Sequence, residues 1–243
     1  MNVERAVSIV TGASGGIGSA IALALAERRG RIVVVARRPE PLAEIASAII
    51  DRGGEAVIVA GDVSDPTTSR SAVEVAASRF GGLDLLINAA GFGPPTPLVE
   101  LTKDDWDATI GSCLTGLYLM TRAALPTMLA AAAGRIVNVS SIAGKGAEAN
   151  RTAYCAAKWG VQGFSLALRA ELAGTGVRLH VLNPASVATD WWDVTGDPQP
   201  TSVIERMLTA DDVAQATLWM LTQPDHVQIN DVEINNAVNP WQQ

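Results

Sequence analysis

A glycine-rich segment near the start of the chain constrains its fold more than any other feature. Residues 11–18 read Thr-Gly-Ala-Ser-Gly-Gly-Ile-Gly, between the apolar run Ala6–Val10 and an alanine-rich helical pattern. Glycines let the main chain approach a pyrophosphate where a Cβ atom would clash, and free N–H groups at a helix start attract the anion. Because clustered glycines also occur in ordinary loops, the segment alone only favours a dinucleotide site. The residues expected to hold the dinucleotide here are Gly12, Ser14, Gly15, Gly16, Ile17 and Gly18.

Short apolar runs and helical patterns alternate along the rest of the chain. The predicted strands are Ala6–Val10, Ile32–Ala36, Ala56–Ala60, Leu85–Ile87, Arg135–Val139, Leu179–Leu182 and Ile229–Ile234, and the predicted helices cover residues 17–28, 41–51, 67–80, 103–131, 153–172 and 211–222. Such β-branched, nearly continuous runs suit strands that are buried on both faces of a parallel sheet. The alternation predicts a three-layer doubly wound (Rossmann) α/β fold, with seven mainly parallel strands and helices on both faces. The length of 243 residues suits a single domain over residues 1–243 that binds the dinucleotide and carries the catalytic groups.

Two further local patterns refine this reading. Thr102 and Thr209 are each followed three residues later by an aspartate, which predicts that they cap the starts of helices. The segment 185–205 has no regular pattern and contains two tryptophans and two prolines. Ligands of open α/β sheets bind beyond the carboxyl ends of the strands, and this segment follows one such end. We therefore expect it to form a substrate lid.

Composition excludes several classes of function. The formal net charge of −7 argues against nucleic acids and anionic membranes as partners, which leaves a small molecule as the expected substrate. No apolar stretch reaches the roughly 20 residues of a membrane helix, and the N-terminus lacks the apolar core of a signal peptide, so we expect a cytoplasmic protein. Two cysteines and two histidines show no metal-ligand spacing, and no metal is expected.

The end of the second predicted strand indicates which dinucleotide is bound. An NAD site usually has an acidic residue here for the ribose 2′-hydroxyl, whereas an NADP site has an arginine for the 2′-phosphate. This chain has Arg37 and Arg38 and no acid. Arginines before a proline can also simply solvate a turn, but the pair favours NADP(H) as the cofactor.

The chemistry is predicted by three residues in the second half of the chain. Tyr154 and Lys158 share one face of a predicted helix, where a nearby ammonium should lower the phenol pKa. Ser141 follows a strand thirteen residues before Tyr154, so its hydroxyl could hold a substrate oxygen. Hydride transfer to a carbonyl needs a nicotinamide, a proton donor and a second hydrogen-bond donor. Each motif alone could be structural, but together they favour this chemistry.

These features together resemble the short-chain dehydrogenase/reductase family over essentially the whole chain. The resemblance rests on the Thr-Gly-x-x-x-Gly-Ile-Gly turn, Asp62-Val63, Asn88-Ala89-Ala90-Gly91, Ser141, Tyr154-x-x-x-Lys158, and Asn183-Pro184 with Thr189. It implies that Tyr154 is the general acid and base, that Lys158 lowers its pKa and binds the nicotinamide ribose, and that Ser141 positions the carbonyl. It also implies further cofactor contacts: Asp62 and Val63 at the adenine, Asn88 to Gly91 (Asn88, Ala89, Ala90, Gly91) at the adenosine ribose, and Pro184, Ala185, Val187 and Thr189 near the nicotinamide and phosphates.

The chain departs from the family pattern at three positions. Ala89 and Ala185 replace an asparagine and a glycine, and Cys113 stands where the family has a catalytic asparagine. A thiol is a poor hydrogen-bonding group, so a proton relay through this position would have to be rewired. Simple helix packing is the favoured role of Cys113. Because Cys113 replaces the family's catalytic asparagine, a non-catalytic dinucleotide-binding sensor stays open as an alternative to a ketone or keto-acid reductase.

Substrate and assembly are less constrained. Acyl-carrier-protein reductases of the family carry basic residues where this chain has Ala130 to Ala133 and Ala173 to Gly176, so a diffusible carbonyl or alcohol is favoured over a 3-oxoacyl thioester. The helical patterns around residues 117–123 and 161–168 are apolar on more than one face, which predicts a subunit interface. The family resemblance implies a homodimer or homotetramer.

Overall fold

Strands and helices alternate along the chain as the sequence predicts. The computed structural model describes residues 3–241, and no helix within that range is long and apolar enough to cross a membrane. The strands are β1 (Val7–Thr11), β2 (Arg31–Ala36), β3 (Glu55–Ala60), β4 (Leu85–Asn88), β5 (Gly134–Val139), β6 (Val177–Pro184), β7 (Val187–Ala188), β8 (Leu208–Thr209) and β9 (Asp231–Ile234). The helices are α1 (Gly16–Ala26), α2 (Pro39–Asp51), α3 (Pro66–Phe80), α4 (Lys103–Ile110), α5 (Gly116–Ala130), α6 (Thr152–Glu171), α7 (Trp191–Val194), α8 (Thr201–Ile204) and α9 (Ala210–Leu221).

Seven of these strands form one parallel sheet in the order β3-β2-β1-β4-β5-β6-β9. The doubly wound fold is confirmed, and the sheet is wholly parallel rather than mainly so. The strand order reverses between β1 and β4, which creates the crevice where such folds bind ligands. Because every strand runs the same way, all seven carboxyl ends lie along one edge.

The continuous apolar character of the strands is explained by burial on both faces. In β2, Ile32 and Val34 belong to a core that α1, α2 and α9 cover, while Val33 and Val35 belong to a second core under α3, α5 and α6. All four side chains are fully buried. This gives the three layers that the sequence predicts.

The predicted helix over residues 103–131 is interrupted, and this corrects the sequence reading. Residues Gly111–Thr115 form a π-helical turn between α4 and α5. Such a turn inserts one residue without ending the helix, so hydrophobic periodicity does not reveal it. A Cβ atom on Gly116 would lie 2.4 Å from Val63, so the chain beside the π turn passes very close to the end of β3.

The structure confirms the two predicted helix caps and changes the description of the lid segment. Thr102 and Thr209 both cap helices as predicted: each hydroxyl accepts from an aspartate N–H at 3.1 Å. The segment 185–205 is not irregular throughout, because it contains β7, α7 and α8. These elements have two to four residues each, which is too short for any periodicity to be visible.

A buried histidine lies in β6, next to the edge strand β9. His180 in β6 is fully buried, and its Nδ1 atom hydrogen-bonds to the carbonyl of Ile229. Its Nε2 atom has no hydrogen-bond partner among the described residues. Burial lowers the pKa of His180 to about 4, and the charges of Arg135, Arg169 and Arg178 act in the same direction, against the bond to Ile229. The fold therefore holds His180 neutral.

The neutral state of His180 makes stability depend on pH. Below pH 6.5 the unfolded chain binds a proton that the folded chain rejects down to about pH 4, so we expect the free energy of unfolding to fall through this window. The expected loss is about 2 to 3 kcal/mol by pH 4.5. Denaturant unfolding at pH 7 and 4.5 measures it. His180→Asn keeps a donor for Ile229 and cannot titrate, so an equal pH dependence in both proteins would contradict this assignment.

Candidate active site

One large cavity lies along the carboxyl edge of the sheet, at the crevice between β1 and β4. Its volume is about 410 Å³. The walls come from the turn before α1, the ends of β2 to β6, the start of α6 and the segment that follows β6. The residues predicted to bind the dinucleotide, except Asn88, and those predicted to do the chemistry line this cavity.

The glycine-rich turn has the shape that the sequence predicts for a phosphate site. A Cβ atom on Gly12 would lie 2.8 Å from the Cα atom of Ala90, and one on Gly18 would lie 2.3 Å from the carbonyl oxygen of Gly12. No described side chain caps α1, and its first turn contains no acidic residue. The main chain therefore presents free N–H groups and a positive helix end to the cavity, which fits a pyrophosphate.

The adjoining part of the cavity lies between the ends of β2 and β3. Arg37 and Arg38 are exposed and line it, and neither forms an ion pair or hydrogen bond with any residue between 3 and 241. Asp62 is engaged elsewhere, because its carboxylate accepts hydrogen bonds from the N–H and hydroxyl of Ser64 at 2.8 and 2.7 Å. Two unpaired guanidinium groups in an open pocket are suited to bind a phosphate.

Three candidate catalytic side chains meet deeper in the cavity. The Ser141 hydroxyl caps a 3₁₀ turn by accepting the Ala143 N–H at 3.1 Å, which leaves its own proton free to bond with Tyr154. The Lys158 ammonium lies 5.5 Å from the centre of the Tyr154 ring and donates to the Val139 carbonyl at 2.9 Å. A Cβ atom on Gly93 would lie 2.5 Å from the Tyr154 ring, so only glycine fits there.

The pKa of Tyr154 is raised, whereas the sequence predicts that Lys158 lowers it. Burial raises this pKa well above its ordinary value, the nearby Cys113 adds to the rise, and the hydrogen bond from Ser141 only partly opposes it. The Lys158 ammonium bonds the Val139 carbonyl instead of the phenol, which explains why it has little effect. Burial lowers the pKa of Lys158 itself. In this structure the phenol is held in its protonated form.

The Cys113 side chain is held by two hydrogen bonds to the main chain of Phe92. It is buried in the π-helical turn, where its sulfur accepts from the Phe92 N–H at 3.4 Å and its thiol donates to the Phe92 carbonyl at 3.3 Å. A Cβ atom on Gly91 would lie 3.5 Å from this sulfur and 3.6 Å from the Lys158 ammonium. The thiol therefore ties the chain after β4 to the helix, which is more than simple helix packing.

The two tryptophans of the predicted lid segment and Arg151, to which the sequence analysis assigned no role, form the outer wall. Trp191 lies 5.8 Å from the Tyr154 ring and 5.2 Å from Trp192. The Arg151 guanidinium lies over both indoles, at 4.9 and 5.7 Å. Arg151 precedes Tyr154 by three residues, so helical spacing could have placed it near the site. Phe92, Ser112, Glu148 and Asp190 also line the cavity, and no local pattern marks them.

The structure brings together all but one of the predicted site residues. The cavity is lined by Gly12, Ser14, Gly15, Gly16, Ile17, Gly18, Arg37, Arg38, Asp62, Val63, Ala89, Ala90, Gly91, Ser141, Tyr154, Lys158, Pro184, Ala185, Val187 and Thr189. Asn88 is the exception. Its buried amide donates to Asn138 at 2.9 Å and to Thr121 at 3.1 Å, so its side chain points into the core. Sequence spacing could not distinguish a strand-end residue facing the cavity from one facing the core.

Comparisons with known proteins agree with this geometry. A model of the short chain dehydrogenase family matches residues 6–199. An uncharacterized oxidoreductase of Listeria monocytogenes is 34% identical over 99% of this chain and 100% of its own length. One of Staphylococcus aureus is also 34% identical, over 94% of this chain and 96% of its own.

Two solved structures share the whole fold. An alcohol dehydrogenase from the archaeon Thermococcus sibiricus, complexed with 5-hydroxy-NADP, superposes with a TM-score of 0.87 at 25% identity and 98% coverage of both chains. A metagenomic short-chain oxidoreductase in complex with NADP gives 0.83 at 33% identity, covering 98% of this chain and 100% of that one. With the family model and the close relatives, these similarities show that the chain belongs to the short-chain dehydrogenase family of oxidoreductases.

Proposed function

We propose that this protein is an NADP(H)-dependent oxidoreductase that interconverts a ketone and a secondary alcohol by hydride transfer. The observation that carries the proposal is the meeting of Ser141, Tyr154 and Lys158 in the cavity that also contains the uncapped start of α1. The two solved relatives support the cofactor, because both are complexes with NADP or a derivative of it. When bound, the nicotinamide supplies or accepts the hydride.

The chain's own residues handle the substrate oxygen and its proton. When substrate binds, the Ser141 hydroxyl turns its proton from the Tyr154 oxygen to the carbonyl oxygen and so fixes the carbonyl beside Tyr154. Burial keeps Tyr154 protonated, so the phenol gives its proton to the oxygen as negative charge develops there. Lys158 lies beneath the ring and holds a positive charge close to the phenolate that remains. Alcohol oxidation follows the same path in reverse.

The cofactor contacts are proposed from the family resemblance and from the residues that line the cavity. The turn at Gly12, Ser14, Gly15, Gly16, Ile17 and Gly18 binds the pyrophosphate, and Arg37 with Arg38 binds the 2′-phosphate. Asp62 and Val63 border the adenine, while Ala89 to Gly91 border its ribose. Pro184, Ala185, Val187 and Thr189 border the nicotinamide end. Asn88 contributes indirectly, because its buried hydrogen bonds fix the end of β4.

Segment 185–205 acts as the substrate lid in the single catalytic domain. Trp191 contacts the Tyr154 ring, and Trp192 is anchored by a hydrogen bond of 2.9 Å from its indole to the Val187 carbonyl. This segment therefore forms the wall of the cavity that a substrate contacts. The expected substrate is a small diffusible carbonyl compound or alcohol in the cytoplasm.

The Tyr154 hydroxyl is the proton donor to be tested first. Tyr154→Phe removes only that oxygen, so we expect turnover to fall by roughly 10²–10⁴-fold while NADPH binding is kept. Tyr118→Phe is the matched control, since Tyr118 is the other tyrosine of the chain and does not line the cavity. The measurement is NADPH oxidation across a panel of ketones, with calorimetry for the cofactor. Unchanged turnover in Tyr154→Phe would disprove the mechanism, and NADPH binding without turnover of any substrate would favour a sensor.

The preference for NADP(H) is expected to depend on the two unpaired arginines. Charge-assisted bonds of this kind contribute about 1.5–3 kcal/mol each, so Arg37→Ala and Arg38→Ala should each weaken NADPH binding roughly tenfold or more. NADH binding should change little, because it lacks the 2′-phosphate. Arg79→Ala, an exposed arginine in α3 away from the cavity, serves as the control. Equal affinities of the native protein for NADPH and NADH would overturn the assignment.

The outer faces of α5 and α6 are expected to form a subunit interface. The apolar residues of the sequence pattern do not supply it, because Leu117, Leu119, Met120, Val161 and Leu168 are buried in the chain's own core. Tyr118 and Leu129 on α5 are 42% and 43% exposed, and Trp159 and Leu166 on α6 are 53% and 63% exposed. Such large apolar side chains favour burial against a second copy in a homodimer or homotetramer. Light scattering at micromolar concentration measures the mass. A particle of 25.3 kDa, the mass of one chain, would rule out this assembly.

A further inference from the structure

The Arg151 guanidinium lies at the substrate end of the cavity, over Trp191 and Trp192, and its polar contacts are already made. Nη1 donates to the Gly93 carbonyl at 2.9 Å, and Nη2 binds the Asp197 carboxylate at 2.8 Å. Nε lies 3.0 Å from the Glu148 carboxylate. The Arg151 side chain is only 6% exposed. Two carboxylates therefore balance one buried guanidinium, which leaves no net positive charge here.

The other charged groups of this end do not attract an anion either. Beyond Arg151 and its partner Glu148, the charged side chain lining the cavity near Tyr154 is Lys158. The Lys158 ammonium is buried beneath the tyrosine and donates to a main-chain carbonyl. Asp190 lies against the glycine-rich turn instead, since a Cβ atom on Gly15 would lie 3.2 Å from its carboxylate. Arg37 and Arg38, whose side chains have no partner among residues 3–241, lie at the other end, where β2 ends.

The uncharged surface around Tyr154 is aromatic. Trp191 contacts the Tyr154 ring, Trp192 stands edge-on to Trp191, and Trp241 lies 5.9 Å from Trp192. The Trp241 indole donates to Gln199 at 3.0 Å, which ties the end of the chain to the lid segment. Flat apolar groups gain both buried area and ring contacts against such a wall.

We propose that the site selects uncharged ketones and secondary alcohols with an aromatic or other apolar substituent, and rejects substrates that carry a carboxylate. This inference rests on the proposed function and narrows its substrate class. A substrate carboxylate would face Glu148 and could reach Arg151 only by displacing Asp197. Repulsion between like charges and loss of hydration both oppose that arrangement.

A matched pair of substrates tests the proposal directly. Ethyl benzoylformate and benzoylformate present the same aryl ketone, one as an uncharged ester and the other as a carboxylate. We expect kcat/KM with NADPH to be roughly tenfold or more higher for the ester, because an uncompensated charge contact is costly. A keto acid that is used as well as or better than its ester overturns the proposal.

Binding to the cofactor-free protein separates this inference from the proposed function. If no ketone of the panel is reduced by NADPH, the proposed function fails, but tryptophan fluorescence excited at 295 nm still reports occupancy beside Trp191 and Trp192. A lower dissociation constant for the ester than for the acid, measured from the quenching titration, supports the selectivity. Equal dissociation constants, a lower one for the acid, or no binding of either compound overturns it.

Removing the two carboxylates tests the cause of the selectivity. Glu148→Gln with Asp197→Asn keeps the side-chain shapes and frees the charge of Arg151. We expect the ratio of kcat/KM for acid to ester to rise about tenfold. Asp51→Asn, which changes an exposed aspartate at the end of α2 that does not line the cavity, should leave this ratio unchanged. Asp197→Asn alone provides the smaller change if the double variant is unstable, and an unchanged ratio in a folded variant contradicts the proposal.

Discussion

Parallel pairing of all seven strands is the constraint on which the rest of the structure depends. Each strand delivers its carboxyl end to the same edge, so residues that are far apart in sequence line one cavity. The close approach of the glycine turn to Ala90 shows how tight this edge is, since a single Cβ atom on Gly12 would collide with it. The doubly wound order then opens the crevice between β1 and β4. The geometry of the site is thus a consequence of sheet topology and main-chain packing.

Buried polar groups hold this edge in register. Asn88 at the end of β4 bonds Asn138 in β5, and Asn138 in turn donates to Ser165 in α6 at 2.9 Å. The Cys113 thiol links the next segment, at Phe92, to the π-helical turn. Such bonds are worth most where water is excluded, because an unpaired group there costs the full desolvation penalty. They stabilise the chain on both sides of the candidate catalytic groups without touching a ligand.

The two ends of the cavity differ in charge, and the proposed cofactor and substrate ends follow this difference. The end near β2 has two exposed guanidinium groups without ion-pair partners among residues 3–241, and it suits a phosphate. At the other end Arg151 is buried, paired with two carboxylates and covered by indoles. The same residue type therefore attracts an anion in one place and neutralises the protein's own acids in the other.

Local sequence signals were enough for the fold class, the glycine turn and the capped helix starts, and for predicting that Ser141, Tyr154 and Lys158 lie in one cavity. These signals depend on spacing within a few residues, or on strand periodicity, and both survive without knowledge of long-range packing. Tertiary structure decided that Asn88 faces the core, that a π turn interrupts the long helix, that burial raises the pKa of Tyr154, and that Arg151 is neutralised. Each of these depends on which distant groups surround a side chain, and that is set only when the chain packs.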